Sequence, residues 1–118
     1  MQHDDVAARL LIALEQGDEE TLASLIRLDA HLVVDTGDPT GGEQRGRSRV
    51  IRTLKQRLER HPDAALLRVS VNGRPGLAQR LPGGDVVAVL NLGLDLEGAI
   101  GELWMSAAPG KLAHWNRE

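Results

Sequence analysis

The hydrophobic pattern of the chain changes period at Pro62. Before it, apolar residues recur at helical spacing; after it, they alternate with polar ones. A helix buries one stripe and a strand buries one face, so the two periods mark different elements. Helices gathered early and strands gathered late do not build a doubly wound parallel sheet, which needs them in alternation. They predict an α+β fold, with the helices packed on one face of a curved, mostly antiparallel sheet.

The spacing predicts a first helix from Asp4 to Gln16, with Val6, Leu10 and Leu14 on one stripe, Asp4 or Asp5 as cap and Gly17 as stop. Asp18 can cap a second helix carrying Leu22, Leu25, Ile26 and Leu28. A strand follows over His31 to Thr36, then a polar loop over Gly37 to Gly46. A third helix spans Arg47 to Arg60, with Val50, Ile51, Leu54 and Leu58 on one face. Beyond Pro62 the alternation gives strands over Ala65–Asn72, Leu77–Leu81, Val86–Leu96 and Ile100–Ala107, joined by Gly-rich turns as in a meander. In the longest of these, Val86, Ala88, Leu90, Leu92, Leu94 and Leu96 share one face. Val87 and Val89 open the other face, so a cover on that side is expected too, and a second subunit in a homodimer would supply it.

The 118 residues suit one domain, here residues 1–118. Cysteine is absent, so no disulfide or thiolate metal site is available. The four histidines are scattered, and no metal or cofactor is expected. Net charge is −3, which disfavours direct nucleic-acid binding as the main task. Nothing approaches a membrane span, and the acidic N-terminus is unlike a signal peptide, which points to the cytoplasm. Trp104 and Trp115 are the only aromatic residues apart from histidine, with no Phe or Tyr. That removes tyrosine oxyanion donors and leaves any chemistry to carboxylates and arginine.

Two stretches carry a more specific signal. One is Val71-Asn72-Gly73-Arg74-Pro75-Gly76-Leu77 with the later Asp95-Leu96-Glu97-Gly98-Ala99-Ile100; the other is Pro109-Gly110-Lys111-Leu112-Ala113-His114. With the order of elements, they resemble the SnoaL-like, nuclear transport factor 2-like superfamily. They are most similar to the SnoaL-like C-terminal extension of certain extracytoplasmic-function sigma factors. Ala108 and Gly110 stand where that extension carries Asn and Asp, and Asp38 to Gly42 matches its glycine loop only loosely. The resemblance implies a cone-shaped fold, a free-standing relative of the accessory domain, and an apolar pocket for a small organic molecule. It equally allows a non-catalytic interaction or regulatory module, because this fold hosts both.

Candidate residues follow from that frame. Asp35 and Asp38 follow the first strand, where the resemblance implies a catalytic carboxylate; beside Gly37 and Pro39 they also suit turn acids. Asn72, Arg80 and Asn91 are polar groups on strands that could bind a ligand, with Asp35–Arg80 as one possible pair. Trp104 suits a pocket wall or an interface anchor. Seven basic residues lie between Arg45 and Arg60, and that helix or the Pro109–His114 segment could dock a protein partner.

Overall fold

A computed structural model describes residues 5–39 and 41–116. Helix α1 (Val6–Gln16) is capped by Asp5, whose carboxylate accepts the Ala8 N–H at 3.0 Å; Asp4 lies outside the described residues. Gly17 closes the helix at φ 64°, and Asp18 caps α2 (Glu19–Leu25) through the amide and hydroxyl of Thr21. Strand β1 (Ile26–Asp35) begins where a helical residue was expected. Ile26 takes extended dihedrals and is buried from the sheet, whereas Leu28 is exposed. Adjacent apolar residues fit either period, so the stripe could not show where the helix ended.

The predicted polar loop contains a short strand, β2 (Gly42–Arg45), antiparallel to β1. It has no apolar side chain to reveal it and forms one edge of the sheet, where polar residues are favoured. Helix α3 (Arg47–Leu58) buries Val50, Ile51 and Leu54 as expected. Strands β3 (Ala65–Val71) and β4 (Arg74–Arg80) form a hairpin. Its turn is Asn72-Gly73, both at positive φ, which matches the twist of the paired strands. Strands β5 (Val86–Leu94) and β6 (Ile100–Ser106) complete six strands in the order β2-β1-β6-β5-β4-β3, all antiparallel except β1 with β6.

The sheet has two unlike faces. The inner one, carrying Leu32, Leu77, Leu90, Leu92, Leu103 and Met105, packs on α1, α2 and α3 in one apolar cluster. One void between them, bounded by Leu14, Leu58, Leu66 and Met105 among others, is about 10 Å³, and it adjoins an open cleft of about 600 Å³ that shares Leu14, Leu58, Leu66 and Gln79 and extends to Lys55 and His61.

The unbroken apolar face expected for β5 is interrupted at both ends. Gln79 pairs with Ala88 while Arg80 pairs with Val86, so an extra residue bulges the strand. Val86 therefore joins Val89 on the outer face. A second register shift lies between Gly93 and Leu94, and both Leu94 and Leu96 are exposed. The cover over Val86 and Val89 comes from this chain itself. A C-terminal 3₁₀ helix (Pro109–Trp115) buries Leu112 against them and Ala78, with Trp115 alongside. Asn116 fastens it, its side chain bonding both the N–H and the carbonyl of Val86 at 2.6 and 3.1 Å.

Candidate functional site

The concavity that gathers most of the ligand-binding candidates lies on the outer face. It is an open groove of about 810 Å³ between the β3–β4 hairpin and the 3₁₀ helix. Its lining includes Asn72, Asn91 and Trp104, three of the four ligand-binding candidates, together with Lys111, His114 and Trp115.

Strand register explains how they meet. Asn91 on β5 lies between Gly76 on β4 and Trp104 on β6. A methyl group at Gly76 would come within 2.5 Å of the Leu90 carbonyl oxygen, so only glycine permits this approach of the strands. Gly93 makes room for the indole of Trp104, since a Cβ there would lie 3.1 Å from the ring. The Arg74 guanidinium sits 5.9 Å from the centre of the same ring, within cation–π range. At the floor, the side-chain oxygen of Asn91 is shielded from solvent and has no hydrogen-bond partner. At the opposite wall, the rings of His114 and Trp115 meet at 5.4 Å.

Asp35 borders this site. It pairs in the sheet with Ser106, a lining residue, and its carboxylate meets Lys111 at 2.5 Å. The Lys111 ammonium, followed by the Gly37 N–H at 3.0 Å, holds the carboxyl below the usual aspartate range, against a smaller opposing effect of burial. This is the environment of an ionised turn acid. Asp38 sits in the following turn, accepting the Thr36 hydroxyl at 2.8 Å.

Arg80 is exposed on β4 and outside the groove lining. Strands β6 and β5 separate β4 from β1, roughly 14 Å at ordinary strand spacing, so Asp35 takes Lys111 as its partner instead of Arg80. Sequence reasoning had no means to find the Asp35–Lys111 pair, which joins distant parts of the chain. The Pro109–His114 motif had, however, marked the segment that supplies Lys111 and His114.

Two other polar features lie outside the groove. His31 faces carboxylates on both sides, Nε2 at 2.8 Å from Glu43 and Nδ1 at 3.2 Å from Glu102, linking β2, β1 and β6. On the basic helix, Arg47 donates to the Ile26 carbonyl and Lys55 pairs with Glu19. Those two cations serve the fold, while Arg49 and Arg52 stay exposed. Among the described residues, no group of three His, Asp or Glu is placed to hold a metal ion, and no helix is long and apolar enough to cross a membrane.

No family model matches the chain, and no curated protein matches it in sequence. Solved structures do match. The extracytoplasmic function sigma factor SigJ of Mycobacterium tuberculosis superposes with a TM-score of 0.70 at 26% identity, over 92% of this chain and 43% of its own. The chain thus spans less than half the length of that protein. A protein with a cystatin-like fold from Silicibacter pomeroyi gives 0.65 at 19% identity, over 92% of this chain and 77% of its own. A SnoaL-like protein of unknown function from Burkholderia thailandensis gives 0.59 at 14% identity, over 84% and 88%. The order of helices, the six-stranded sheet and these neighbours together make this a SnoaL-like, nuclear transport factor 2-like cone fold, with a sigma factor among the proteins it resembles.

Proposed function

We propose that the chain is a non-catalytic binding module whose working surface is the outer face of its sheet. The observation that carries this reading is the closed interior. The void among Leu77, Leu90 and Met105, about 10 Å³, is near the minimum for a single water and far below the roughly 300–1,000 Å³ of small-molecule sites. An enzyme that encloses its substrate in the cone needs that space. The state of Asp35 supports the same reading. Tied to Lys111 and Gly37, it serves to hold the 3₁₀ helix against the sheet rather than to shuttle protons. The likeness to a sigma factor supports a regulatory use.

The test is methyl NMR of the whole chain titrated with benzene and indole. The Leu77, Leu90 and Met105 methyls should stay unshifted. Saturable shifts at those methyls would show an interior that admits ligand, and would overturn the proposal.

A further inference from the structure

We propose that Gln79 is a latch that shuts the interior of the cone by fastening the C-terminal end of α3 to the sheet. This rests on the reading of the interior as closed, and names what closes it.

Among the described residues, Gln79 is the one polar residue that is buried as a whole, at 4% exposure. It sits on β4 between Leu66 of β3 and Ala88 of β5, beside the bulge. Its side-chain amide crosses from the sheet to the turn that follows α3. There it donates to the Leu58 carbonyl at 3.0 Å and to the His61 carbonyl at 3.4 Å.

Neither carbonyl depends on Gln79 for a partner. Leu58 already accepts the His61 N–H at 3.2 Å, and His61 accepts the Ala64 N–H at 3.1 Å. A carbonyl oxygen takes two bonds, and Gln79 supplies the second to each. At Leu58 the place is open because the residue four further on is Pro62, which has no N–H to continue the helix. The amide therefore does not rescue an unpaired backbone group. What its bonds add is a fixed distance between β4 and the end of α3.

That distance decides whether the interior is open. The void of about 10 Å³ and the open cleft of about 600 Å³ share Leu14, Leu58, Leu66 and Gln79, which form the partition between them. The three leucines are half-buried and held by apolar contact, which has no direction. Gln79 brings the directional bonds. With those bonds made, the void is cut off from the cleft. With them broken, the end of α3 is released and the space beside Leu77, Leu90 and Met105 opens into the cleft as an apolar cavity, fit for a small apolar ring.

Methyl NMR of the whole chain with indole tests the latch. In the parent chain the Leu77, Leu90 and Met105 methyls should stay unshifted, whereas Gln79→Ala should give saturable shifts at them. Gln79→Met fills much the same space without the bonds. In that variant the His61 and Ala64 amides, which share their carbonyls with Gln79, should gain about tenfold in hydrogen exchange relative to the Leu32 and Leu103 amides, the effect of losing about one hydrogen bond locally. A folded Gln79→Ala chain that takes up no indole would overturn the latch and leave the closed interior standing. So would a Gln79→Met chain whose His61 and Ala64 amides gain nothing over the core, and this variant decides if the alanine one does not fold. Saturable shifts at those methyls in the parent chain would overturn the closed interior itself.

Discussion

Strand β5 contributes to two surfaces that have been put to opposite uses. Leu90 and Leu92 point inward and are sealed among the helices, while Val89, Asn91 and Gly93 point outward to the groove side. The inner face packs Leu90 and Leu92 closely, with a void of only about 10 Å³ beside Leu90. The outer face holds an unpaired amide oxygen, a half-exposed tryptophan and a glycine that makes space for it. Close packing lies on one side, and an open groove with one unpaired amide oxygen beneath it lies on the other. This difference supports the proposal that the working surface is the side of the sheet away from α1, α2 and α3.

Substitutions can break or sharpen that contrast. The largest effect is expected inside: Leu103→Ala, at a fully buried position, should cost about 2–5 kcal/mol in chemical denaturation. A loss below 1 kcal/mol, roughly the scale of an exposed site, would mean the interior is not tightly packed. Next is Gly76→Ala, where the new methyl meets the Leu90 carbonyl and the strands must separate. It should destabilise by about 1–3 kcal/mol in the same assay. Asn91→Leu should go the other way. Replacing an unpaired buried acceptor by an apolar group should leave stability within about 1 kcal/mol of the parent or raise it.

The smallest effect concerns pH. Asp35 is held below the ordinary aspartate value, about 3.9, by Lys111 and Gly37, and Asp95 by the amides of Ala99 and Glu97 and by Arg27. A depressed folded-state pKa gives stability that is present above the unfolded value and lost as pH falls through the folded one. Thermal melting should therefore decline on acidification below about pH 4. Asp35→Asn should flatten part of that decline and loosen the 3₁₀ helix without disturbing the inner face.

Much of the inner face was legible in the sequence because its period is regular. Leu10, Val50, Leu54 and Leu90 all stand where helical or alternating spacing puts them. Regularity fails where the chain bends. The bulge near Val87 turns Val86 outward, and the shift after Gly93 releases Leu94, neither of which alternation can foresee. The strand over Gly42–Arg45 was invisible because an edge strand without apolar residues has no pattern. The sequence led to a cover expected over Val87 and Val89, with a second subunit as its source; at Val89, and at Val86 turned outward by the bulge, Leu112 and Trp115 of the same chain build one. Within the site, Asn91 stood out as a polar residue in an apolar strand, and Trp104 as one of two rings. The Asp35–Lys111 pair depends on the C-terminal segment folding back over the sheet, a long-range fact that no local spacing encodes.

Xenon tests the central claim most directly, because it enters apolar cavities by size alone. A crystal of the parent chain under xenon pressure should show no xenon among Leu77, Leu90 and Met105, whereas Leu90→Ala should take it up there. Well-occupied xenon at that place in the parent chain would contradict a closed interior and return the search for a ligand to the inside of the cone.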